Sequence, residues 1–66
     1  MAPKYPDIIV KLTDEDGNAF AVLGRSRKAA EDAGLSNEEI HVFMKEATAS
    51  DYKNLLQTVM RWFEVV

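Results

Sequence analysis

The stretch Trp62-Phe63-Glu64-Val65-Val66 closes the 66-residue sequence and decides how the chain folds. Its aromatic and β-branched side chains suit a short pleated strand, and a continuation of the helix predicted just before it is the competing reading. A strand needs a partner, and Ile8-Ile9-Val10-Lys11-Leu12-Thr13 supplies one. This run is rich in β-branched residues and follows Pro3 and Pro6, which keep the opening out of helix. At a period of two, Ile8, Val10 and Leu12 share the face predicted to meet the core, and Asp7, Ile9, Lys11 and Thr13 share the other. Alone, the first strand would expose its ladder groups, so pairing with Trp62 to Val66 is expected. Pro6 has no N–H to give a ladder and belongs at the strand's beginning or on an edge.

Between these ends the pattern turns helical. Asp14-Glu15-Asp16-Gly17 is a turn signal, because Asp tolerates the left-handed region and Gly enters it cheaply. From Asn18 to Ala33, the residues Ala19, Val22, Leu23, Ser26, Ala29, Ala30 and Ala33 fall on one helical side, and Gly34 supplies the stop. A hairpin through Phe20, Val22 and Leu23 is the competing reading, and the alanine-rich continuation favours helix. Ser36-Asn37-Glu38-Glu39 forms a capping box, with Leu35 placed to staple onto Ile40. Ile40, Phe43, Met44 and Ala47 follow at core spacing. Ser50 is the predicted N-cap of a third helix whose stripe is Tyr52, Leu55, Leu56, Val59, Met60 and Phe63. The expected fold is a small single α+β domain over residues 1–66: an N-terminal strand, three helices and a short C-terminal strand pairing with the first.

Composition then limits function. A chain this short buries only about 60% of the surface its unfolded form exposes. Its 47% hydrophobic residues are too many for a disordered chain. With no cysteine, disulfides, thiolate metal sites and cysteine nucleophiles are excluded, which favours a reducing, cytoplasmic setting. The apolar runs Ile8 to Val10 and Ala19 to Leu23 fall far short of the roughly 20 residues that span a bilayer, and the polar Met1 to Pro6 segment is not a signal peptide. The expectation is a protein without membrane contact.

Catalytic constellations are not evident. His41 is the single histidine, and only Glu38 stands at ligand spacing from it, which does not make a metal site. An EF-hand loop counted from Asp14 would place Ala19 where Gly is needed and Arg25 where the closing Glu is needed. Gly17-Asn18 has one Gly, no Lys-Ser/Thr pair and three preceding carboxylates, so it is not a phosphate loop. Ser26, Ser36 and Ser50 would all have to share His41 as a base. The expectation is a non-enzymatic protein with no cofactor, no metal and no small-molecule substrate.

The net charge of −3 is an average over unlike segments. Residues 31–51 hold Glu31, Asp32, Glu38, Glu39, Glu46 and Asp51 against Lys45 alone, while the flanking segments are each nearly balanced. Arg25, Arg27, Lys28 and Arg61 make a candidate basic patch, partly neutralised by Glu31 and Asp32 at helical spacing. The second and third helices resemble a helix-turn-helix pair in which Asn54, Gln57 and Arg61 are types that read base edges. The acidic second helix would cross the phosphate backbone, which makes nucleic acid the less favoured partner. The acidic segment also suits an inhibitor that mimics nucleic acid.

Apolar residues are in surplus. Ile9 lies opposite the predicted core face, Val42 lies off its helix stripe, and Phe20 and Trp62 lie at stripe edges. If contiguous, these four would form an interaction surface for a protein partner or a second copy. The leading expectation is therefore a small accessory or regulatory module acting by protein–protein binding or self-association.

Glu15-Asp16-Gly17-Asn18-Ala19-Phe20-Ala21-Val22-Leu23-Gly24-Arg25, Glu46-Ala47-Thr48 with Asp51-Tyr52, Leu55-Leu56-Gln57-Thr58-Val59-Met60-Arg61-Trp62, and Tyr5-Pro6 together resemble a family of small uncharacterised proteins of bacterial, phage and plasmid genomes. The likeness spans nearly the whole chain and has no catalytic motif in it. Members look more basic where Glu31 and Asp32 stand here. The resemblance implies a cytosolic accessory protein, of the kind mobile elements carry.

Overall fold

The computed structural model describes residues 2–12 and 19–66. The acidic turn Asp14 to Gly17 and the predicted helix start at Asn18 lie outside the described residues. The elements run β1 (Tyr5–Val10), α1 (Ala19–Asp32), α2 (Asn37–Ala47), α3 (Tyr52–Trp62) and β2 (Phe63–Val65). This is the small α+β fold expected, and its two strands pair in parallel. A parallel pair needs a crossover between its strands, and here the helices provide it.

β1 begins three residues before the predicted Ile8, taking in Tyr5 and Pro6. Its register against β2 pairs Tyr5 with Phe63 but Ile9 with Glu64, so an irregularity lies between Tyr5 and Ile9. Pro6 falls inside that irregular stretch, where a missing N–H costs least. Beyond it the ladder is regular: Ile9 faces Glu64 and Val10 faces Val65. The Val66 N–H donates to the Val10 carbonyl at 3.1 Å and the Leu12 N–H donates to the Val66 carbonyl at 3.1 Å. Ahead of the strand, the Lys4 N–H donates to the Arg61 carbonyl at 2.8 Å.

α1 is a helix over the stretch where a hairpin competed. It buries Val22, Ser26 and Ala30, small residues that allow close approach. The Ser26 hydroxyl is satisfied by donating to the Val22 carbonyl at 2.8 Å. The helix ends in a Schellman motif. The Leu35 N–H donates to the Ala30 carbonyl and the Gly34 N–H to the Glu31 carbonyl, with Gly34 at φ 89°. Ala33, expected on the core stripe, is exposed because it falls in this closing turn.

α2 starts with the full capping box at Ser36 and Glu39. Ile40, Phe43 and Ala47 are buried and Met44 half-buried, as the spacing predicts. α3 departs from expectation at its start and along its stripe. Its N-cap is Asp51, not Ser50: the carboxylate accepts from the Asn54 N–H at 3.0 Å. Its buried residues are Leu55, Thr58, Val59 and Trp62, while Tyr52 and Met60 are exposed. Thr58 takes a core position because its hydroxyl donates to the Asn54 carbonyl and accepts from the Arg61 guanidinium. The stripe therefore turns toward Trp62, and Phe63 enters the core from β2. Burial centres on Val10, Ala30, Phe43, Val59 and Phe63, all almost fully enclosed.

Candidate interaction surface

Of the four residues expected to make one apolar surface, Trp62 is not exposed. Trp62 is 4% exposed and belongs to the core. Its ring meets Phe43 edge-on at 5.4 Å, Lys4 Nζ lies 4.3 Å from its centroid, and its Nε1–H donates to Glu46 Oε1 at 3.0 Å. An indole at i+7 from Leu55 and i+3 from Val59 is in phase with the buried stripe, and that spacing is the signal that marks it as core. Ile9 (59%), Phe20 (85%) and Val42 (44%) are exposed as expected, but on different elements and in different surroundings.

Phe20 opens an apolar cleft of about 260 Å³ between the start of α1 and the α2–α3 connection, with Leu23, Ala47, Tyr52 and Leu55 in its walls. Ile9 lines a larger, open groove of about 510 Å³ between β1 and one flank of α1. Val10 and Lys11 continue the β1 wall, and Arg25, Lys28, Ala29 and Asp32 make the α1 wall. Val42 lines neither.

The groove also divides the basic patch. Arg25 and Lys28 line it together with Lys11, a cation that sequence reading left out because it lies on another element. Strand alternation and helix spacing each hold their own residues to a face, and neither predicts which faces meet. Arg27 sits elsewhere, beside Glu31, Asn37, Ile40, His41 and Met44. Two of the cations are paired: Arg27 Nε reaches Glu31 Oε2 at 3.1 Å, and Lys28 Nζ reaches Asp32 Oδ2 at 3.7 Å. Arg61 lies on α3, where it donates to Thr58 Oγ1 at 3.1 Å.

Asn54, one of the residues suited to reading base edges, is occupied too. Asn54 is half-buried and its Nδ2 donates to the Glu46 carbonyl at 2.9 Å, tying α3 to the end of α2. The acidic segment is likewise used internally. Glu46 accepts from Trp62, and Glu39 accepts the Tyr5 hydroxyl at 2.7 Å while its other oxygen serves Ser36. The Tyr5 hydrogen bond, aided by the Ser36 backbone and side chain, holds the Glu39 carboxyl below its ordinary value. The same bond raises the Tyr5 phenol above its ordinary value, with partial burial and the Glu39 charge adding to the effect.

His41 is exposed on α2, and no group of three or more His, Cys, Asp or Glu side chains among the described residues could hold a metal ion. No helix among them is long and apolar enough to cross a membrane. No family model matches the chain, and no curated protein or solved structure matches it.

Proposed function

We propose that this chain is a small non-enzymatic accessory module that acts by contact with another protein or with itself. One observation carries the reading: β1 has a single strand partner among the described residues, and its outward face presents Ile9 beside a groove walled by α1. A sheet edge with an exposed branched residue is a template for adding a strand. The chemistry of the other polar residues agrees. Two of the serines, Ser26 and Ser36, spend their hydroxyls on a helix carbonyl and a helix cap. Glu39 and Glu46, two of the acids that would make a nucleic-acid mimic, bond Tyr5 and Trp62.

Photo-crosslinking from position 9 in the source cell tests the reading. A discrete adduct, with a second protein or with another copy, is the expected result. A chain that gives no adduct and stays monomeric contradicts it. A gel shift at low salt separates the reading from nucleic-acid binding, whose affinity falls steeply as salt rises. No shift is expected.

A further inference from the structure

We infer that the partner of the β1 edge is a second copy of the chain, joined by antiparallel β1–β1 pairing about a two-fold axis at Ile9. The inference rests on the contact-module reading and names its partner. The argument starts from the direction of the main chain. Val10 offers its carbonyl, and Leu12 its N–H, to Val66 just past β2. Successive residues of a strand point their main-chain groups to opposite edges, so those of Ile9 and Lys11 point away from β2. Among the described residues no further strand meets that edge.

The side chains along this edge are self-complementary. Asp7, Ile9 and Lys11 are exposed, and Ile8 and Val10 between them are buried. An antiparallel pair centred on Ile9 sets Ile9 against Ile9 of the second copy. It also sets Asp7 against Lys11 and Lys11 against Asp7. Opposite charges directly across two strands stabilise a pair, and like charges there oppose it. A register slipped by two residues loses both ion pairs and the apolar contact. The main-chain requirement is met at the centre of the pair: Ile9 lies in the regular part of the ladder and its N–H and C=O groups face the open edge, so Ile9 exchanges both bonds with its counterpart. Lys11 also lines the groove with Arg25 and Lys28 on the α1 wall, where Lys28 is paired with Asp32. A two-fold pairing of this kind is isologous and closes on itself, so it ends at a dimer rather than a fibre.

Sedimentation equilibrium of the full chain tests this. The expected result is a reversible monomer–dimer equilibrium. Ile9→Lys, at an exposed position, is expected to abolish the dimer without changing the circular dichroism spectrum. Asp7→Lys and Lys11→Asp are each expected to weaken association about 10-fold or more, because each turns two attractive pairs into two repulsive ones. Combining both substitutions restores opposite charges in this register, and association is expected to return to near the original constant. A dimer indifferent to Ile9→Lys, or a double variant as weak as the single ones, overturns the β1 pairing while leaving self-association intact. A monomer at about millimolar concentration overturns the dimer. If that monomer also gives no crosslink from position 9, the contact-module reading falls with it.

Discussion

Trp62 joins parts of the chain that are far apart in sequence. Its indole N–H reaches Glu46 at the end of α2, its face carries the Lys4 ammonium, and its edge packs on Phe43. Phe43 in turn lies 5.0 Å from the Phe63 ring, so the aromatic cluster spans α2, α3 and β2. Phe43 is fully buried, and truncating it leaves a cavity that neighbouring rings cannot fill. Phe43→Ala is expected to cost about 3–5 kcal/mol of stability, read from the urea midpoint at unchanged slope. The Tyr5 to Glu39 hydrogen bond makes a second residue-scale claim, about pH. Glu39 titrates lower folded than unfolded, so its contribution is present above its ordinary value near 4.5 and lost as pH falls through the folded value. Tyr5 titrates higher folded than unfolded, so its contribution is present below about 10 and lost as pH rises through the folded value. Tyr5→Phe is thus expected to destabilise the chain at pH 7, and the gap from the parent should shrink in acid. A gap unchanged from pH 7 to pH 3 would mean that the hydroxyl contributes nothing through Glu39.

At the scale of elements, local chemistry was legible and its phase was not. Ser36 and Glu39 announce α2 because a capping box is a short-range device, complete within four residues. Gly34 announces the end of α1 for the same reason. Its φ of 89° is costly for any other L residue, and nothing stands within 4 Å of where a Cβ would go. Gly34→Ala is therefore expected to lose about 1–2 kcal/mol from backbone strain alone, measured by thermal unfolding. Helix α3 was harder to read. Its apolar residues also fit a stripe through Met60, and only the paired Thr58 hydroxyl, flanked by Val59 and Trp62, shows that the helix turns the other way. A polar residue with its own local partners can enter a core, and sequence periodicity does not register that partner. The N-cap of α3 is a similar case, since Ser50 and Asp51 are both good caps and the choice depends on where the α2–α3 turn ends.

Over the whole molecule, β1 is held to the C-terminus by β2 and covered on its inner face by α1. That arrangement answers the supply problem of a short chain. Trp62 and Phe63 go inside, whereas Ile9, Phe20 and Val42 stay out on separate elements. The sequence showed which apolar residues were in surplus. It did not show that Lys11 would join Arg25 and Lys28 beside Ile9, because that meeting depends on how the α1 flank sits along the strand. Amide hydrogen exchange followed across protein concentration tests the proposed use of this edge most directly. The Leu12 amide is bonded to Val66 within one chain, so its protection should not vary with concentration. The Ile9 amide faces the open edge, and its protection should rise with concentration as the β1–β1 pair forms. An Ile9 amide that exchanges at one rate from micromolar to millimolar protein would contradict the pairing.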